Sequence, residues 1–115
     1  MIRTNFYGEL LTKDSDLARE ILEEWLDADL KVRVKILGDH IVYEDSQTYV
    51  FAESGVHPGR ETFLLQGHFD VGLDESREKL QRLHDLAKLR SIEMDADYMQ
   101  VNEAGDEVSE EYHIG

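Results

Sequence analysis

The chain contains no cysteine, so it has no thiolate ligand, no thiol nucleophile and no disulfide. Its candidate chemistry rests on His40, His57, His68, His84 and His113 and on its many carboxylates. A metal or general-acid site needs several such groups to converge. His68 with Glu9, Glu53 and Glu110 or Glu111 is the set that would converge if two halves of the chain pair across a cavity. Such a site would leave a coordination position open for substrate. The competing reading is that any acidic sheet protein offers combinations of this kind by composition alone, and on that reading no metal and no cofactor is expected. His84 falls four residues after Leu80 on a helical stripe and reads as an edge of the core. His40, at a turn, and His113, near the end of the chain, read as exposed.

Ser54-Gly55-Val56-His57-Pro58-Gly59-Arg60 holds the one proline. Backbone N–H groups around Gly55 and Gly59, with Arg60 as a bidentate donor, have the parts of an anion cradle. Ser54 and His57 lack the third, orienting group that a nucleophile–base pair requires, and no phosphate-loop pattern is present. A surface connection between two half-domains accounts for the same residues. Trp25 shares an apolar stripe with Ile21 and Leu22, which makes it a core residue. Tyr7, Tyr43, Tyr49, Tyr98 and Tyr112 all fall in strand-like segments, where an exposed one would give a partner contact area.

Twenty-six acidic side chains against twelve Lys and Arg give a net charge of −14. Such a surface repels nucleic acid and anionic membranes and favours a basic protein partner. From Ser91 to Gly115 there is no Lys or Arg. Glu93, Asp95, Asp97, Glu107, Glu110 and Glu111 are therefore the expected partner-binding residues. Solubility or salt adaptation explains the same acidity without any partner. RNA binding through sheet aromatics is excluded by the lack of a basic rim. Met1 to Asn5 lacks the pattern of a signal peptide, and no apolar run approaches the roughly 18 residues of a bilayer span. The expected location is cytoplasmic.

The positioning elements follow from periodicity. Phe6, Gly8 and Leu10 alternate with Tyr7, Glu9 and Leu11, a strand over 3–11. Asp14, Ser15 and Asp16 offer oxygens to the first N–H groups of a helix over 16–28. Leu17, Ile21, Leu22, Trp25 and Leu26 line its apolar face. Val32, Val34 and Ile36 alternate with Lys31, Arg33 and Lys35, predicting one buried and one wet face. Gly38-Asp39 and Asp45-Ser46-Gln47 are turns, so 31–53 reads as a three-stranded meander. A strand over 61–71 precedes a helix over 74–89, with Leu80, Leu83, Leu86 and Ala87 inward. Ile92, Met94, Ala96 and Tyr98 mark another strand. After the turn 102–106, a last strand carries Val108, Glu110, Tyr112 and Ile114.

The sum is one α+β domain over 1–115, with similar halves of about 1–53 and 61–115 joined by the loop 54–60. Two helices on one face of a mostly antiparallel sheet is the expected two-layer sandwich. A ferredoxin-like arrangement of two βαββ-type halves is preferred, and a paired βαβββ cavity fold is the alternative. Lys31, Arg33 and Lys35 either pair with Glu93, Asp95 and Asp97 on a neighbouring strand or leave the open face polarised. Function is read as a small acidic binding module, inhibitory, immunity-like or regulatory, that docks on a basic partner. The alternative is a metal-dependent or small-molecule enzyme with its site between the halves. Homodimer formation through an edge strand such as 48–53 is compatible with either.

Overall fold

The computed structural model describes residues 2–36, 38–54 and 62–115. In chain order the elements are β1 (Arg3–Leu10), α1 (Ser15–Leu26), β2 (Arg33–Lys35), β3 (Gly38–Glu44), β4 (Thr48–Ser54), β5 (Phe63–Phe69), α2 (Leu73–Leu89), β6 (Met94–Val101) and β7 (Tyr112–Ile114). The strands form a single seven-stranded sheet in the order β2-β3-β4-β5-β1-β6-β7, antiparallel at every pairing. The two helices pack on one side of it, which makes a two-layer α+β sandwich. The sheet stays open, so the paired βαβββ cavity alternative is not adopted.

Local chemistry starts α1 where expected. The Asp14 carboxylate accepts hydrogen bonds from the backbone N–H groups of Asp16 and Leu17, and Asp27 ends the helix in the left-handed region. Ala18, Ile21, Leu22 and Trp25 are buried against Leu80, Leu83 and Ala87 of α2 and the sheet residues Phe6, Leu10, Phe63, Leu65 and Phe69. Phe6 and Phe69 stack at 4.7 Å, and Trp25 meets both edge-on. The Trp25 indole N–H donates to the Lys79 carbonyl, and Arg82 donates to the carbonyls of Glu24 and Trp25. Those bonds tie the end of α1 to α2 and satisfy carbonyls that a helix terminus leaves free.

Two expectations are corrected. Val34 is 80% exposed and Ile36 fully so. The alternation at 31–36 marks a strand, but β2 is the outermost strand and no residue of it is buried. The last strand begins only at Tyr112. Of the earlier residues, Glu107 makes a lone bridge to Val101, while Ser109 turns its hydroxyl to the Gln100 N–H. The halves also interleave, because β1 lies between β5 and β6. Residues 55–61, with Gly55, His57, Gly59 and Arg60, lie outside the described residues.

Candidate functional site

Among the described residues, no helix or strand lies over the sheet face away from the helices, although Met99 and Val101, on that face at the end of β6, are buried. Alternation places Tyr7 and Glu9 there from β1, opposite to Phe6 and Leu10, and the register fixes their neighbours. One cross-sheet row reads Arg33, His40, Glu53, Leu64, Glu9 and Asp95. The next reads Val42, Phe51, Gln66, Tyr7, Asp97 and His113. The middle of these rows forms a groove of about 330 Å³. Tyr7, Phe51 and Leu64 give it apolar surface, and Glu9, Glu53, Asp95 and Asp97 give it four carboxylates. No Lys or Arg lines it among the described residues.

Glu9 and Asp95 are directly opposed cross-strand partners. Like charges so placed destabilise a sheet. Asp97 adds a third carboxylate one pair further on, and Glu53 stands beyond Leu64 in the Glu9 row. Histidines flank the acidic centre. His113 Nδ1 is 2.6 Å from Asp97 Oδ1, and His40 Nε2 is 3.7 Å from Glu53 Oε2. The Tyr7 hydroxyl donates to the Glu111 carboxylate at 3.1 Å, which holds the phenol above its usual pKa. Glu111 thereby ties the segment before β7 to the sheet face.

Of the expected partner-binding residues, Asp95 and Asp97 line the groove, Glu111 borders it through Tyr7, and Glu93, Glu107 and Glu110 are exposed. The metal set does not assemble. Glu9 and Glu53 share a row, but His68 is opposite Asn5 and Tyr49, two rows away, roughly 13 Å at strand spacing. Burial, and then Arg3, lower the His68 pKa. Among the described residues no three His, Asp or Glu side chains are grouped to hold a metal ion. The basic and acidic strands are not neighbours either. Arg33 and Asp95 stand at opposite ends of one row, so the open face is polarised. His40 belongs to β3, half-buried against the Phe51 ring, and does not sit in a turn. His84 is half-buried on α2. Among the described residues its Nδ1 finds no hydrogen-bond partner, since Asp85 at 3.6 Å is beyond bonding distance.

Phe51, Leu64 and Gln66 escaped the sequence reading as site residues, and Tyr7 entered it only as one of five strand tyrosines. Their strand parity was legible, but the long-range register that gathers them was not. No protein-family model matches this chain, and neither does any curated protein or solved structure. Among the described residues, no helix is long and apolar enough to cross a membrane.

Proposed function

We propose that the protein is a non-enzymatic binding module whose open sheet face receives a basic surface of a protein partner. The observation that carries this reading is the Glu9–Asp95 opposition inside a partly apolar groove with no lining Lys or Arg among the described residues. Stability alone gives no reason to set Glu9 opposite Asp95, whereas a basic group seated between them turns their repulsion into attraction. Tyr7 and Phe51 would add rigid contact area at small entropic cost. Inhibition, immunity-like neutralisation or regulation of a basic protein each uses such a surface. A ferredoxin-like core of β4-β5-β1-β6, extended at both edges, is the fold reading that accompanies it.

The test is capture from a lysate of the source organism, at low and physiological salt, by the wild-type chain and by the Asp95→Asn/Asp97→Asn variant. A stoichiometric partner held by the wild type and lost by the variant supports the reading. With that partner purified, neutralising Glu93, Asp95 and Asp97 together lowers the association rate by about tenfold and flattens its salt dependence. Equal retention by the variant overturns it, as does the absence of any partner at either salt for a chain that is also monomeric.

A further inference from the structure

The open face carries its two signs of charge at opposite ends of the same row. Arg33 stands at the β2 end and Asp95 on β6, about 24 Å apart at five strand spacings. Lys35 follows Arg33 and Asp97 follows Asp95 on the same face, but in opposite directions, because β2 and β6 run antiparallel. By the register Lys35 is level with Glu93, and only Arg33 and Asp95 share the row. Between the ends lie Val42 and Tyr7, both exposed, and half-buried Phe51 and Leu64. The face therefore mixes apolar groups with Glu9 and Glu53 in the middle and is basic at one side and acidic at the other.

A surface of that pattern is self-complementary. A two-fold axis laid along the strands, midway between β4 and β5, exchanges β2 with β6, β3 with β1, and β4 with β5. Two sheets related by it pack face to face with aligned strands, displaced by the usual twist of about 30°. The basic β2 of each copy comes over the acidic β6 of the other. In the row at the centre of the groove, Arg33 is brought toward Asp95 and His40 toward Glu9. In the next row Val42 faces Tyr7. We infer that the occupant of the open face is a second copy of this chain, giving a closed, isologous dimer held by the Val42–Tyr7 contact and by reciprocal Arg33–Asp95 and His40–Glu9 pairs. The inference rests on the reading of this face as a binding surface and names its partner.

The size is adequate. Six strands span about 28 Å, and seven residues run about 23 Å, so each copy offers roughly 650 Å². Standard interfaces cover about 800 Å² per partner. Pairing through the exposed β2 edge is the weaker arrangement, because an antiparallel two-fold about Val34 would set Arg33 against Lys35 of the mate. Face-to-face packing sets each basic strand against carboxylates.

The charge pattern makes the dimer testable by exchange. Sedimentation velocity from micromolar to millimolar concentration is run on the wild type, on Arg33→Glu, on Asp95→Lys, and on an equimolar mixture of the two variants. The wild type is expected at twice its 13.3 kDa. Each variant alone sets like charges over one another and loses the dimer. Their mixture regains it as a heterodimer. Circular dichroism checks that each variant keeps its fold, and Lys35→Glu with Glu93→Lys, level with each other by the register, carries the same exchange if either does not. A monomeric wild type, a dimer that survives both variants, or a folded mixture that fails to recover overturns the inference. A monomeric wild type that still captures a basic partner through Asp95 and Asp97 overturns the dimer alone and leaves the proposed function standing.

Discussion

At position 95 a carboxylate faces another carboxylate across two hydrogen-bonded strands. Replacing Asp95 by Asn keeps the shape and removes the repulsion with Glu9. Urea unfolding of Asp95→Asn should show a gain of about 0.2–1 kcal/mol together with weaker partner binding. A loss of stability would mean that Asp95 makes a stabilising contact in the free chain. Two other carboxylates act in the opposite sense. The Arg3 guanidinium bonds Asp70 at 2.7 Å, and the Tyr43 hydroxyl with the N–H groups of Gln47 and Thr48 bonds Asp45. Both carboxyls are held below their ordinary 3.8. The folded state binds fewer protons than the unfolded chain, so this stability is present above about pH 4 and fades as pH falls through the lowered values. His68, lowered from 6.5 mainly by burial, adds a milder loss as pH drops below 6.5, because only the unfolded chain protonates freely there. Acidification also relieves the overall charge, so the check is differential: the urea-midpoint gap between wild type and Asp70→Asn should close as pH falls below about 4. A gap that did not narrow on acidification would contradict the Asp70 assignment. The residues themselves could be read in the sequence, but their partners could not. Asp70 meets Arg3 because β1 lies beside β5, which no local pattern announces.

Elements were legible where one period persisted. Phe6 and Leu10 on β1, and Ile21, Leu22 and Trp25 on α1, are buried as their spacing requires. The same logic failed at Val34, since alternation marks a strand whether or not a layer lies against it. It failed again at Val108, whose N–H bonds the Gln100 carbonyl within an irregular stretch, next to a lone bridge at Glu107, and not within a continuous strand. Glycine carries a constraint that period cannot show. A Cβ on Gly67 would stand 1.9 Å from the Tyr49 carbonyl oxygen and 2.9 Å from the Phe6 ring. Strands β4 and β5 close on that point, and the Phe6–Phe69 stack fills the space beside it. Gly67→Ala should cost about 1–3 kcal/mol in thermal or urea unfolding, with a red-shifted emission from Trp25 as the aromatic cluster loosens. An unchanged midpoint would show that the sheet yields at this position without cost.

Across the whole molecule, a net charge of −14 opposes compactness. The ion pairs Arg3–Asp70, Arg19–Glu23 and Arg90–Glu24 engage only a few of the acidic groups. Raising chloride from about 0.01 M to about 0.5 M shortens the screening length several-fold and should raise the melting temperature. Chloride suits the test better than sulfate, which strengthens apolar burial by itself. A falling melting temperature would mean that attractive pairs outweigh repulsion. Layering and helix placement were readable from composition and period. The strand order was not, because it depends on which distant edges meet. That order has a consequence in time. β1, made before the other six strands, lies near the middle of the sheet, with β5 on one side and β6 on the other. Leu10 waits for Phe63 on one side and for Met94 on the other. On the ribosome the β2-β3-β4 meander can zip locally, but β1 stays unpaired until β5 has emerged and keeps one edge open until β6 follows. Such non-local closure makes folding slow relative to chain length and leaves the nascent β1 in need of shelter from other strands.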